Sequence, residues 1–495
     1  RNTGSTSNTD AIVDVNGGTL NIAGSGQLNM NGGLSVFNHN GGDVNVGGDM
    51  QMATANDTTS NATYNLGAGA GTLTIGGDLF VGRDRVAEFN YESGGFNIGG
   101  TIYVGGVDNG NANNRPNADG TINIGVSGGN PTMNTNQFEV GRHNLGLVNQ
   151  DNGTVNVNNG NLVLGQLSNA DGTYDISGGT LNIANNLNNN SGDATLNISG
   201  AGIVNVGGDI NLSNANSGGA TVNVSGGEFN IEGNFGYRSN GSDVVNQSGG
   251  NVTIEGSLNM AGTGTQDYNL SGGVLSFADT AMNTQQPNPT DSNNSSSINI
   301  NSAGDFSFTG GQLENVSDIN AGNGPFTQDG GRFVIGVDGV DPNNANTIRA
   351  MTTIDGDYNQ NDGTLVVDIF GPGSHGGSGE DGGVLTIDPL SADLDSDILQ
   401  VTGNAFLDGT LEVNLNGYEP AAFHWYDVLL AEGGILDADD LTLTGVNFFR
   451  VIDNPNDPTG VSQLLQVAVP EPASIALWSL IGLGLAGFAY VRRRR

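Results

Sequence analysis

Two residue types are missing outright. No cysteine occurs among the 495 residues, so the chain has no disulfide framework, no thiol nucleophile and no thiolate metal site. Stability has to come from length and stacking instead. No lysine occurs either, because all 13 basic residues are arginines. Four of them are the last four residues, Arg492 to Arg495, which leaves nine over the first 491. Charged residues make up only 13%, and most are acidic: 51 Asp and Glu give a formal net charge of −38. Nucleic-acid binding needs clustered Lys and Arg to release counterions, and this composition excludes it. Anionic lipid headgroups repel the body as well, everywhere except at the extreme C-terminus. High negative charge keeps a long β protein soluble and attracts divalent cations. The chain starts at Arg1 with no basic n-region and apolar h-region, so the expectation is a removed signal peptide or a fragment.

Glycine is abundant instead, at 83 residues, with Asn, Thr and Ser at most other polar positions. Such a composition is compatible with disorder. Here, however, 35% of residues are hydrophobic, and their placement is regular. In "ATVNVSGGEFNIEGNFGYRSN", residues 220–240, apolar residues alternate in pairs: Val222 and Val224, Phe229 and Ile231, Phe235 and Tyr237. Glycines separate the pairs. Strict alternation has period two, so each pair reads as a short strand with one buried face. Ser-Gly steps at Ser177, Ser199, Ser225, Ser248 and Ser271 recur at intervals of 22, 26, 23 and 23 residues. Within a unit the first pair leads the second by seven residues and the second leads the third by six, as in Val245, Val252 and Leu258. Three strands and three corners in about 23 residues match one coil of a parallel β-solenoid, whereas a propeller blade needs about 40. A coil alone cannot fold. It buries about six side chains at roughly 1.5–3 kcal/mol each, while ordering its backbone costs on the order of 1–2 kcal/mol per residue. Stacked neighbours make up the difference.

The residue between the first apolar pair is often Asn, as at Asn197, Asn223, Asn246 and Asn269. It points outward, and stacked coils bring these residues about 4.8 Å apart. Two readings stand side by side: a solvated structural ladder, or a flat hydrogen-bonding surface for polysaccharide.

Regular repeats fill residues 1–282, with about eleven coils between Val13 and Phe277. A polar, proline-containing loop follows at 283–297, then an irregular continuation of the solenoid at 298–370. A Gly-rich loop occupies 371–383. From 384 to 468 the strands lengthen and the apolar residues grow larger, which reads as a β-rich cap over the last hydrophobic coil. The strings "DYNQNDGTLVVDIF" (357–370) and "SDILQVTGNAFLDGTLEVNLNGYEP" (396–420) resemble the C-terminal part of autotransporter-like β-helix proteins with Gly-rich strand repeats. The resemblance implies a surface-exposed β-helix. No outer-membrane barrel follows, so self-transport is not supported.

Polysaccharide lyases and hydrolases also use parallel β-helices, so catalytic groups need weighing. Hydrolysis wants paired carboxylates in a cleft. Asp437, Asp439 and Asp440 cluster, as do Asp393, Asp395 and Asp397, but both sets read as solvated turns of the cap. Lyase chemistry wants an Arg or Lys base, and the body has few arginines. His39, His143, His375 and His424 are far apart, with no metal-ligand spacing. "GGSGED", residues 376–381, matches the start of a calcium nonapeptide repeat but occurs once, with Gly383 at the apolar position. Asp393, Asp395 and Asp397 resemble the start of an EF-hand loop, but Ile398 replaces its glycine and Asn404 its final glutamate. The expectation is no enzyme, no catalytic residue, no metal site and no cofactor, with weak calcium binding by the acidic surface left open.

The last segment is "VPEPASIALWSLIGLGLAGFAYVRRRR", residues 469–495. Residues 473–491 are 19 in number and uncharged, enough as a helix at 1.5 Å per residue to cross roughly a hydrocarbon core. The arginines after it stay cytoplasmic under the positive-inside rule. The triplet Pro470, Glu471, Pro472, the apolar run and the basic end Arg492, Arg493, Arg494, Arg495 together resemble a PEP-CTERM sorting signal of Gram-negative bacteria. The resemblance implies export, recognition by an exosortase-type membrane protease, and association with exopolysaccharide or biofilm. It implies an inner-membrane-anchored precursor and a mature form outside the cell or on its surface.

The fold expected is all-β: a right-handed parallel β-helix of about 22–26 residues per coil, three short strands each, with a C-terminal β cap and one C-terminal transmembrane helix. The function expected is a secreted or cell-surface structural protein of the polysaccharide matrix, adhesive in character. A glycan-binding module is the alternative, and a lyase or hydrolase comes third.

Overall fold

The computed structural model describes residues 10–54, 60–107, 117–213, 218–237, 241–260, 264–277, 296–300, 304–322, 324–336, 350–369, 396–415, 425–454 and 457–468. Among them there is no α-helix; one 3-10 turn, Ala438–Asp440, interrupts an otherwise all-β chain. The chain forms two compact units, one of residues 1–278 and 296–311, the other of residues 279–295 and 312–495.

In the first unit strands pair in parallel with the equivalent strands one repeat later, an arrangement compatible with a β-solenoid. Val222 lies beside Val245 and Val245 beside Tyr268; Phe229 lies beside Val252 and Val252 beside Leu275. Phe235 lies beside Leu258, and Leu258 beside Ile298. Val222, Phe229 and Phe235 are all buried, as the alternation requires. Ser297, at the end of the expected polar loop, already belongs to the strand Ser297–Ile300; residues 283–295 lie outside the described residues.

The SGG step differs from the expected break. In this coil the first two apolar pairs lie on one strand, Ala220–Ile231, and only the third, Phe235–Tyr237, stands apart. The ladder passes through the step with a register shift, Ser225 pairing with Gly249. Elsewhere the two segments are separate, as in Asp171–Ile176 and Thr180–Ile183. Continuity through the step depends on glycine. Gly250 has φ +68, and a Cβ there would lie 2.7 Å from the carbonyl carbon of Gly226 in the coil before. An L side chain would meet both the left-handed strain and a backbone clash. In the first described coil, Val13 is 44% exposed, because its strand, Ala11–Ile22, has a neighbour on one side among the described residues, at Leu34–Val46.

The second unit keeps parallel pairing well into the region expected to be cap. Tyr358 lies beside Ala405, Ala405 beside Ile435, and Leu411 beside Leu443. Among the described residues, antiparallel strands are confined to three at its end, besides an isolated antiparallel bridge between Ile369 and Ser396. Gln463–Ala468 lies between Trp425–Ala431 and Phe448–Asp453, with Ala468 opposite both Trp425 and Phe448. Trp425–Ala431 also pairs in parallel with Ile398–Val401. The reversed strand therefore covers an edge that parallel pairing would leave open, and open edges invite pairing with other chains. No helix among the described residues is long and apolar enough to cross a membrane; residues 473–491 lie outside them.

Candidate functional site

The outward Asn residues form hydrogen-bonded columns. In the first-strand column Asn38 donates its Nδ2–H to Asp14 Oδ1 (2.8 Å), Asn65 to Asn38 (2.8 Å), Asn90 to Asn65 (2.9 Å), Asn123 to Asn90 (2.8 Å) and Asn149 to Asn123 (2.8 Å). The column restarts at Asp175, which accepts from Asn197; Asn223, Asn246 and Asn269 continue it. Every link runs the same way, from the later coil to the earlier. Asp14 and Asp175 fix that direction, since a carboxylate only accepts. The second-strand column repeats the pattern from Asn97 through Asn134, Asn156, Asn182 and Asn205 to Asn230. The amides of one column are thus aligned, and in the first-strand column a carboxylate sits at the donor end of each run, as at a helix N-terminus.

A second device holds the corners. Where the chain turns into the third strand, an Asp or Asn side chain accepts the backbone N–H of the next coil. Asp78 N donates to Asp49 Oδ1 (3.0 Å), Asp209 N to Asn186 Oδ1 (2.8 Å), Asn234 N to Asp209 Oδ1 (2.9 Å) and Ser257 N to Asn234 Oδ1 (3.0 Å). The glycines before these residues leave room for that oxygen: a Cβ at Gly256 would come within 2.7 Å of Asn234 Oδ1.

A third device is buried, and the alternation pattern does not announce it. His39, Gln150, Gln247, Gln328 and Gln360 occupy inward positions and are buried. Each contacts the carbonyl of the glycine three residues on: Gly42, Gly153, Gly250, Gly331 and Gly363. In all but Gln360 a tyrosine one repeat later completes the group. Tyr174 donates to Gln150 Oε1 (2.7 Å), Tyr268 to Gln247 Oε1 (2.7 Å) and Tyr358 to Gln328 Oε1 (2.6 Å), and Tyr64 bonds His39 Nδ1 (3.2 Å). Burial pushes all four phenols well above their ordinary range, so they remain donors. The sequence signal is a Gln or His at an apolar position three residues before a glycine.

The candidate acids fare differently. Asp437, Asp439 and Asp440 are exposed at the 3-10 turn, as expected of solvated acids. Asp397 corrects the expectation of a solvated turn: it is buried, and accepts from the backbone N–H of Ala350 (2.8 Å) and of Asp368 (3.2 Å). Burial first, then the neighbouring Asp368, pushes its pKa well up, against those two hydrogen bonds. Asp243 is also buried and raised by desolvation. It accepts from Ser213 Oγ–H and from the Ala220 N–H (2.9 Å), while its second oxygen has no partner. Asp393 and Asp395, His375 and His424, the loops at 371–383, and the site residues Pro470 to Pro472 and Arg492 to Arg495 lie outside the described residues. No cluster of three or more His, Asp or Glu among the described residues is arranged to hold a metal ion.

Aromatic and basic side chains meet on one stretch of the third-strand face. Phe80 and Tyr103 stack at 5.0 Å, the Arg142 guanidinium lies 4.3 Å over Tyr103, and Arg142 pairs with Glu139. Both faces of the Tyr103 ring are covered, so the stack serves cohesion along the column.

No curated protein matches the chain at significant similarity. The chain's end does match a known family: residues 468–495 correspond to the PEP-CTERM protein-sorting motif. The match does not extend to the repeat region, but it marks an exported, surface-sorted protein that is recognised by an exosortase and processed at the membrane.

Proposed function

We propose that the chain is a structural component of the extracellular polysaccharide matrix of a Gram-negative-type bacterium. In this reading it is a right-handed, autotransporter-like β-solenoid, made as an anchored precursor whose residues 473–491 span the inner membrane. It is not an enzyme. The observation that carries the reading is the use of its polar side chains. The outward amides, the corner Asp and Asn residues and the buried Gln–Tyr groups are bonded from coil to coil. That is cohesion, not the convergence of groups on a substrate. The test is immunogold imaging of cells with and without their extracellular polysaccharide. The label should follow the polymer; an unchanged label on cells lacking it contradicts the matrix role. Release of reducing ends or unsaturated products from polysaccharide, lost on mutation of an acid pair, contradicts the absence of catalysis.

One observation favours glycan binding as the second reading. An inner Asn of a column uses one N–H and one oxygen lone pair along the column, and an amide has two of each; Asn123 spends its other N–H on Glu88. A row of spare donors and acceptors therefore faces outward at the strand spacing of about 4.8 Å. Retention on a polysaccharide column without turnover separates this reading from a purely structural one.

A further inference from the structure

The terminal three-stranded sheet ends where the sorting tail begins. Ala468 is the last described residue, and its cross-strand neighbours are Trp425 on one side and Phe448 on the other. Phe448 is 51% exposed, in a body whose aromatic side chains are mostly inside. The Arg450 guanidinium lies 4.1 Å over the Trp425 ring, and Arg450 Nε–H donates to Gln466 Oε1 (2.7 Å). Gln466 Nε2–H in turn donates to Asp427 Oδ1 (2.6 Å). Trp425, Ala468 and Phe448 form one cross-strand row, and Asp427, Gln466 and Arg450 the next on the same face. This end of the sheet thus presents an indole, a phenyl ring and an exposed cation on a strongly acidic protein.

Covalent geometry says what lies opposite. The apolar run starts at residue 473, and five steps from Ala468 reach at most about 18 Å even when fully extended. The headgroup layer takes up about 5–8 Å of that distance. Trp and Tyr rings favour this layer, and cations are drawn to anionic lipids within it.

We propose that the Trp425–Ala468–Phe448 end of the terminal sheet, with Arg450, is an interfacial docking surface that seats the precursor on the bilayer its own tail enters. It rests on the reading that residues 473–491 are embedded. The docked sheet brings Ala468, where the sorting motif begins, close to the headgroup layer. Cutting the tail removes the tether, and the weak interfacial contact then lets the acidic body leave.

The test uses the full-length chain in vesicles of phosphatidylethanolamine and phosphatidylglycerol, with part of the lipid brominated on the acyl chain near the headgroup. The chain has two tryptophans, so Trp478→Phe leaves Trp425 as the sole reporter, and Trp425→Phe leaves Trp478. The expected result is quenching of both, with Trp425 quenched less by lipid brominated deep in the chain. Replacing Phe448 with Ser in the Trp478→Phe background should abolish most of the Trp425 quenching. Quenched Trp478 with unquenched Trp425 overturns the docking surface and leaves the embedded tail standing. Unquenched Trp478 overturns the embedded tail, and docking with it.

Discussion

Asn149 and Asp175 face each other in register, yet no hydrogen bond joins them, because Asp175 has no N–H to donate to the Asn149 oxygen. Replacing Asp175 with Asn supplies the missing donor and keeps the acceptor used by Asn197. The variant should be more stable by about 0.5–1.5 kcal/mol, read as a higher denaturant midpoint at unchanged slope; a lower midpoint would show that the column does not act as a continuous ladder. Asp243 is the opposite case, an acid whose burial lifts its pKa above 3.8. Between that unfolded value and the raised folded one, folding takes up a proton, so its contribution is fully present at low pH and is lost as pH rises. Asp243→Asn should therefore gain on the parent chain as pH is raised through that window, with the smallest difference near pH 4. Thermal melts of both proteins from pH 4 to 7 check this, and a difference that shrinks towards pH 7 contradicts it. At this scale the sequence was readable only where polarity followed the period. Val222 and Phe229 show themselves as inward residues. Gln247 and Tyr268, equally buried, do not, because a polar residue at an inward position becomes intelligible only once the Gly250 carbonyl it serves is in place. Asp397 looked solvated for the same reason.

The repeated strands are the elements here, and each pairs in parallel with its counterparts one repeat before and one repeat after. Phe229 packs edge-on to Phe235 at 6.3 Å and lies between Val204 and Val252 in the ladder. Phe229→Asp would bury a carboxylate without a partner, at a cost of several kcal/mol. The damage should stay near that coil. Hydrogen exchange should quicken in Ile203–Val206 and Asp243–Ile254 while Asn61–Leu66 keeps its protection. Uniform loss across the unit would contradict nearest-neighbour support. The spacing of the parallel strands was legible in the sequence, because alternating pairs and glycines repeat with them. The course of the strand through the SGG step was not. A glycine pair reads as a stop, and only the coil stacked beneath shows that it is a bulge in a continuing ladder. The pairing inside the region read as a cap was not legible either. Larger apolar residues after 384 suggested a different packing, whereas Ala405 and Leu411 pair in parallel with their neighbours.

For the whole molecule, repeats bonded one to the next are followed in the chain by a tail that carries the address. The tail was legible as a string, since a triplet, an apolar run and a basic end need no fold to be recognised. The neighbourhood of its attachment, with Trp425 and Phe448 flanking Ala468, was invisible until the antiparallel strands were placed. Processing at the triplet would remove the apolar run and all four terminal arginines, leaving a more acidic, freely soluble body. Intact-mass analysis of the protein recovered from the extracellular fraction tests this account most directly. It predicts a mature chain ending close to Val469. A mature, surface-located form that still carries the "VRRRR" end would contradict it.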